Sequence, residues 1–259
     1  MPSRERSFAF EHRVGGPGGS PTSSGGFRRP PAGSAPVTHG IVGLCVAVFA
    51  LEILLAGQLT AVVAVPPPVL LRVGGNLVAL TLKEHRYETL LASAFVHGSA
   101  LHLLMNMAVL RSVGPLVEGE VGSARVAPLY LVSAVAASAA SCVAGIVVAG
   151  QRLSVGASGA ILGLVGAAFV IGVRTDGFRG PLARASARWL AMLVGFGFVA
   201  ALFGVPIDNA AHVGGALGGM AVASLWRRDY VYTPLARAVS LVASGVVLGL
   251  VAAAVRARA

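Results

Sequence analysis

Apolar residues are grouped along this chain into blocks of about 20, and short polar segments that contain most of the arginines separate them. A helix of about 20 apolar residues crosses the ~30 Å hydrocarbon core of a bilayer. The pattern therefore predicts an all-α fold, a polytopic membrane helix bundle. Seven spanning helices are predicted, at residues 38–64, 98–116, 126–149, 157–173, 188–205, 210–226 and 236–255.

Composition agrees with the hydrophobic pattern. Only 12% of the 259 residues are charged, whereas about 25% is usual for a soluble domain. Residues 1–37 differ from the rest, because they are rich in Gly, Pro, Ser and Arg and precede the first long apolar block. We predict a disordered cytoplasmic tail there, and no cleaved signal peptide.

The connection between the first two predicted spans, residues 65–97, is unusually long. It begins near Pro66, Pro67 and Pro68. We expect these prolines to end the first span, because proline removes a backbone donor and clashes inside a helix. A connection of this length is usually either functional or disordered.

Basic residues outnumber acidic ones by 20 to 10, which gives a net charge of +10. The arginines lie between the apolar blocks instead of forming one basic face, which argues against nucleic-acid binding. Most of them fall on the cytoplasmic side if the N-terminus is cytoplasmic. We therefore predict an integral, multi-pass protein of a bacterial plasma membrane, with its N-terminus in the cytoplasm and its C-terminus outside.

Four polar residues stand out inside the predicted spans, where polar groups are costly and often functional. Taken singly, each has a structural interpretation. His102 and Asn106 are four residues apart on one helix face, and would join two helices. Ser158 would be an N-cap, and His212 would make a polar contact near a helix end.

Their depth in the membrane connects these residues. In the predicted orientation, the second, fourth and sixth spans all begin on the outer side, so the four side chains reach a similar depth. A serine needs a base to become a nucleophile, and a tetrahedral intermediate needs donors for its oxyanion. The set supplies both, which favours nucleophilic catalysis over four separate structural roles.

Three motifs contain these residues. They are His97-x4-His102-x3-Asn106, Gly156-Ala-Ser158-Gly159 and Ala211-His212-x2-Gly215-x3-Gly219. In this order, and at these helix positions, the motifs resemble those of the rhomboid intramembrane serine proteases. The resemblance implies a six-helix catalytic core over residues 38–226. Residues 227–259 would add a cytoplasmic connection and the seventh transmembrane helix.

The resemblance also implies a role for each position. Ser158 would be the nucleophile, and His212 would be the general base and then the acid. His102 and Asn106 would form the oxyanion hole together with the backbone N–H of Ser158. The family uses no third acid, so Asp208 receives no catalytic role. We predict no metal and no cofactor. Supporting residues would be His97, Gly156, Gly159, Gly215 and Gly219.

Four further positions are interpreted by comparison with the family pattern: two match it, one departs from it and one lies outside its motifs. Arg86 and Glu118 match family positions, and we expect them to hold a loop and a helix end. Leu162 departs from the pattern, because many relatives have an aromatic residue there that packs on the catalytic histidine. Two outcomes are therefore open: a looser orientation of the Ser-His pair, or another ring that takes the place of the aromatic residue. Glu52 belongs to no motif and is interpreted as structural.

By resemblance, the chain is a serine endopeptidase whose partners are transmembrane protein substrates and the lipid bilayer. It would cut single-pass membrane proteins near their outer membrane boundary. The main alternative is a non-catalytic rhomboid-like protein that binds transmembrane helices, and the intact Ser158 and His212 argue against it. A small transporter would have paired midplane charges or broken helices, of which the sequence offers only Glu52. No oligomeric state is predicted.

Overall fold

The computed structural model describes residues 35–148, 153–204 and 207–226. Within them the chain forms eight α-helices and one small sheet. The predicted tail up to residue 34 and the predicted seventh span lie outside the described residues. The helices are α1 (Pro36–Ala56), α2 (Pro67–Val73), α3 (Thr89–Ala92), α4 (Ala100–Val121), α5 (Ser123–Val147), α6 (Ser158–Asp176), α7 (Pro181–Leu202) and α8 (Asn209–Leu225).

Each of the first six predicted spans is a helix in the structure. Five of these helices are long and apolar enough to cross a membrane, namely α1, α4, α5, α6 and α7. The sixth, α8, has 17 residues, which is the lower limit for a crossing helix. A multi-pass membrane helix bundle is thus confirmed.

The predicted end of the first span is wrong. Helix α1 stops at Ala56, because Gly57 adopts the left-handed conformation with φ +65° and donates its N–H to the Ile53 carbonyl. A glycine in this conformation is a common helix stop. The prolines lie further on, and Pro67 begins α2 instead, where its missing N–H costs nothing.

Two other helices extend past their predicted limits. Helix α4 continues through Pro115 to Val121, although the hydrophobic pattern ends the span at residue 116. Helix α7 begins at Pro181, seven residues before the predicted start at 188, so Arg184 and Arg188 lie in the helix and not in the connection before it. Charged residues near these ends weaken the hydropathy signal, Arg184 and Arg188 in α7 and Glu118 and Glu120 in α4, which is why the pattern places both ends too far inside.

The long connection after the first span is folded. Its strand β1 (Asn76–Leu77) pairs antiparallel with β2 (Leu153–Ser154), just before α6. Buried side chains fix the segment: Thr81 donates to Asn76 Oδ1 at 2.7 Å, and Asn76 Nδ2 donates to the Ser138 carbonyl of α5 at 3.1 Å. Arg86 donates to the Leu71 carbonyl at 2.9 Å, the loop-holding role expected of it.

Helix α6 is the most buried of the five long apolar helices, and α7 is the least buried. The contact of α6 with α8 is made by glycines. A methyl group added at Gly215 or at Gly219 would overlap the backbone carbonyl of Gly159 or Gly163, respectively. Close packing over small residues therefore brings the helix that begins at Ser158 against the helix that carries His212.

Glu118 joins the C-terminal end of α4 to the start of α1. Its carboxylate is fully buried and accepts three hydrogen bonds, from Val37 N at 3.1 Å, Thr38 N at 2.9 Å and Thr38 Oγ1 at 2.7 Å. The first N–H groups of a helix have no partner within it, and a negative charge is favourable there. Glu118 thus holds a helix end, as expected from the sequence.

Replacing Glu118 with alanine is expected to lower the free energy of unfolding by about 3 kcal/mol, because it leaves two buried donors of Thr38 and the part-buried Val37 N–H without their acceptor. Denaturation of the purified protein in detergent measures this. Glu120→Ala is the control, since Glu120 is exposed on the same helix, and it should change the value by less than about 0.5 kcal/mol. Equal losses in the two variants would contradict the capping role.

Candidate active site

Ser158 is the first residue of α6, and the N-cap position belongs to Ala157. The structural interpretation of this serine as an N-cap is therefore wrong, and its hydroxyl is available for another partner. Gly156 makes the turn before the helix with φ +120°, a conformation that side chains rarely adopt. Its N–H donates to the Ser93 carbonyl at 2.9 Å, which fixes the approach of the chain to Ser158.

His212 lies in the first turn of α8, and its Nε2 is 2.9 Å from Ser158 Oγ. Its imidazole is buried. Among the described residues, no group bonds to Nδ1 of this ring. For Nε2 to accept the hydroxyl proton, Nδ1 must carry the ring hydrogen. The arrangement is thus a Ser-His pair, and among the described residues no acidic side chain bonds to His212 as a third member. The family resemblance implied such a pair.

Asp208 instead caps the helix that carries His212. Its Oδ1 accepts from Ala211 N at 2.9 Å, and its Oδ2 accepts from the Ser141 hydroxyl of α5. The cap fixes the start of α8 against α5, one turn before His212. From the sequence, Asp208 was assigned no catalytic role and no other. An Asp directly before the first residue of a helix is nevertheless a recognisable N-cap signal.

His102 and Asn106 face the turn that precedes Ser158. A methyl group added at Gly156 would lie 2.7 Å from both Cε1 and Nε2 of His102, and 3.7 Å from Asn106 Nδ2. The glycine therefore permits the approach of these two side chains. Asn106 Nδ2 donates to the His102 carbonyl at 2.9 Å, which uses one of its two hydrogens and leaves the other for a second acceptor.

His97 lies outside the cavity and behind His102. The two rings meet edge to face, with centroids 5.3 Å apart. His97 Nδ1 donates to the Phe95 carbonyl at 3.1 Å. Burial, followed by the neighbouring His102, lowers the pKa of His97 to about 3, so its ring is neutral at physiological pH. The structure thus places His97 in direct ring contact with His102.

A cavity of about 500 Å³ contains the site. Ser158, His212, His102 and Asn106 all line it, together with apolar side chains of α4 and α7 such as Phe196. Water is needed for hydrolysis, and an extended peptide segment needs apolar walls as well as polar partners. The cavity has both apolar walls and polar side chains. It lies in the part of the helix bundle where α4, α6 and α8 begin.

Comparison with known protein families identifies the fold. A family model described as the Rhomboid domain matches residues 84–229, more than half of the chain and all four residues of the site. This chain belongs to the rhomboid family. Helices α4 to α8, which form the cavity, all lie within the matched segment.

Several curated relatives share the rhomboid segment. RHOMBOID-like protein 5 of Arabidopsis thaliana is 32% identical over 164 residues, which is 62% of this chain and 52% of that protein. RHOMBOID-like protein 7 of the same plant is 33% identical over 133 residues, covering 50% and 40% of the two chains. Rhomboid protease GluP of Bacillus subtilis is 32% identical over 159 residues, covering 58% and 29%. The chain thus spans about half or less of these rhomboid relatives.

Leu162 does not loosen the Ser-His pair in the structure. It is buried and lines the cavity one turn after Ser158, where many rhomboids have an aromatic residue. The 2.9 Å contact between the two side chains is nevertheless of normal hydrogen-bond length. A looser pair, one of the two expected outcomes, is therefore not observed, and the close backbone contact of α6 with α8 lies beside this hydrogen bond.

Proposed function

We propose that this rhomboid is a serine endopeptidase that hydrolyses peptide bonds of single-pass membrane proteins near their outer membrane boundary. The observation that carries the proposal is the hydrogen bond between Ser158 Oγ and His212 Nε2, inside a cavity large enough for a peptide segment. A serine is a weak nucleophile until a neighbouring base takes its proton, and the histidine meets that requirement.

In the proposed mechanism, Ser158 Oγ attacks the scissile carbonyl carbon while its proton passes to His212 Nε2. The carbonyl oxygen becomes an oxyanion, for which Asn106 Nδ2 and the His102 ring are the side-chain donors. Collapse of the intermediate breaks the C–N bond, and His212 gives the proton to the leaving amine. A water then attacks the acyl-enzyme by the same sequence, which regenerates the Ser158 hydroxyl.

The backbone of Ser158 supplies a third donor. As the first residue of α6, it has an N–H with no acceptor inside the helix, and this end of a helix favours negative charge. The geometry thus supports stabilisation of an oxyanion between α4 and the start of α6. No described residues form a group of three or more metal-ligating side chains, and the proposed reaction uses none.

The proposed depth of cleavage follows from the helix ends. Ser158 and His212 lie in the first turns of α6 and α8, and His102 in the first turn of α4. All three helices therefore begin on the side of the membrane where the site lies. The distribution of arginines supports assigning that side to the exterior.

Reconstitution with a generic single-pass substrate tests the proposal. The wild-type protein in proteoliposomes is expected to release two fragments whose new ends lie near one membrane boundary. A fluorophosphonate probe should label the protein, with the adduct mapped to Ser158 by mass spectrometry. Substrate binding without cleavage or labelling would instead support the alternative, a non-catalytic rhomboid-like protein that binds transmembrane helices.

A further inference from the structure

Glu52 is one of two fully buried carboxyl groups in the described part of the chain, and the other is Glu118. The two differ in how well they are satisfied. Both oxygens of Glu118 accept hydrogen bonds. Glu52 Oε1 accepts one, from the backbone N–H of His97 at 3.1 Å, and its Oε2 has no partner among the described residues. Capping of a helix therefore does not account for Glu52.

A residue of this kind is costly to keep in a spanning helix. Glu52 lies near the end of α1, which contributes no side chain to the cavity. A buried carboxyl group with one hydrogen bond is less favourable for stability than an apolar side chain of similar volume. Ionisable groups inside membrane spans are therefore usually linked to function, and the contact that Glu52 makes shows which part of the protein it acts on.

That contact leads directly to the candidate oxyanion site. Glu52 holds the backbone of His97, which lies three residues before the start of α4. The ring of His97 meets the ring of His102 edge to face. His102 in turn lies against Gly156 at the mouth of the Ser158 turn.

The ring of His97 is fixed as well as its backbone. Its Nδ1 faces the Phe95 carbonyl, which only accepts, so Nδ1 carries the hydrogen and Nε2 is a bare acceptor. Within the described residues Nε2 has no partner. With only one ring hydrogen bond, the position of the imidazole beside His102 depends strongly on its backbone, which Glu52 anchors.

We propose that Glu52 is a positioning residue for the oxyanion site, acting through His97 on His102. The proposal rests on the proteolytic function proposed above. In this proposal, Glu52 accepts the hydrogen bond from the His97 N–H. That hydrogen bond places the His102 ring where it donates to the developing oxyanion. Loss of that acceptor misplaces a donor used in the transition state, and leaves the walls that bind the substrate unchanged.

Kinetics of Glu52 variants in proteoliposomes test this. Glu52→Met removes the acceptor, and we expect kcat to fall by about 10- to 100-fold with KM within about 2-fold of wild type. Glu52→Gln retains an oxygen for the His97 N–H, and should keep kcat within about 3-fold of wild type. The labelling rate with the fluorophosphonate should follow kcat, because that reaction also places an oxygen at the oxyanion site.

Glu118→Gln is the matched control, since it changes the other buried carboxyl, which lies in α4 and contacts the opposite end of α1. It should lower stability and leave kcat of the folded fraction unchanged. If Glu52→Met does not fold, Glu52→Asp replaces it, because its carboxylate is one methylene short of the His97 N–H. A several-fold loss of kcat at constant KM is expected for Glu52→Asp.

Three results would overturn the proposal. The first is a folded Glu52→Met or Glu52→Asp variant with wild-type kcat. The second is a Glu52→Gln variant as slow as Glu52→Met, which would exclude the hydrogen bond as the cause. The third is an equal loss of kcat in Glu118→Gln. Absence of cleavage by the wild-type protein is a different result, because it contradicts the proteolytic function itself.

Discussion

Replacing Ser158 with alanine is expected to reduce the rate of substrate cleavage by more than about 10³-fold, while the fold remains intact. The substitution removes the hydroxyl that lies 2.9 Å from His212 Nε2 and adds no bulk. The measurement is the initial rate of fragment release in proteoliposomes at saturating substrate. The denaturation midpoint in detergent, measured on the same preparation, shows whether the fold is retained.

His212→Ala should reduce the rate by a similar factor, because Ser158 then has no base to take its proton. The two residues act as one unit, so the double variant should be no slower than either single variant. Ser112→Ala is the control: this serine is exposed on α4 and donates within its own helix to the Ala108 carbonyl at 2.9 Å. It should cleave at the wild-type rate.

Persistent cleavage in both single variants would show that another nucleophile is present and that the Ser-His assignment is wrong. Rate losses that multiply in the double variant would show that the two residues act independently. The denaturation midpoint of each variant separates a loss of catalysis from unfolding, because unfolding lowers both the midpoint and the rate, whereas a purely catalytic defect lowers the rate alone.

The positions of the spans were predictable because a membrane-spanning segment is defined by a local run of apolar residues, which the sequence shows directly. A run of apolar residues must form a helix there, since no water satisfies its backbone. The helix ends were less predictable. Gly57 ends α1 through a local conformation, whereas the sequence shows three prolines further on as a stronger signal. Both the glycine and the prolines are able to stop a helix, and the glycine ends α1 because it comes first along the chain.

The fold of the long connection was not predictable from its pattern. Asn76 and Thr81 are isolated polar residues in a largely apolar stretch of the connection, and nothing in their spacing shows which partners they would have. Their partners include the Ser138 carbonyl of α5, 62 residues away from Asn76. A contact of this range depends on how the helices assemble, so single-sequence periodicity carries no trace of it.

The candidate site was predictable to an unusual degree, because its residues are polar exceptions in apolar helices. Ser158, His212, His102 and Asn106 were singled out by their cost in the membrane, and the structure places all four around one cavity. The supporting contacts were not foreseen. Asp208 accepts from the Ala211 N–H, a local cap that its place before a helix signals. Glu52 accepts from the backbone N–H of His97, 45 residues away, and a backbone N–H has no residue type by which a sequence could reveal it.

The glycines between α6 and α8 give the second large expected effect. Gly215→Ala should reduce the cleavage rate by about 10²-fold or more, and should lower the free energy of unfolding by about 1–3 kcal/mol. The new methyl group would overlap the Gly159 carbonyl oxygen. That atom is main chain within a packed helix and has no flexible end that moves aside, so α8 itself must shift.

A shift of α8 acts on catalysis because the contact lies beside both reacting groups. Gly215 is three residues after His212, and Gly159 directly follows Ser158. Moving the two helices apart by about 1 Å would lengthen the 2.9 Å contact between the side chains beyond hydrogen-bond distance. Both the cleavage rate and the fluorophosphonate labelling rate measure this change, since each needs Ser158 activated by His212.

Gly195→Ala in α7 is the matched control, because this helical glycine has no atom within 4 Å of an added methyl group. Alanine also favours a helix over glycine by about 1 kcal/mol, so Gly195→Ala should leave the rate unchanged and should not lower stability. A Gly215→Ala variant that cleaves and labels like Gly195→Ala would show that α8 tolerates the methyl group. The close contact of the α6 and α8 backbones would then not be what holds His212 against Ser158.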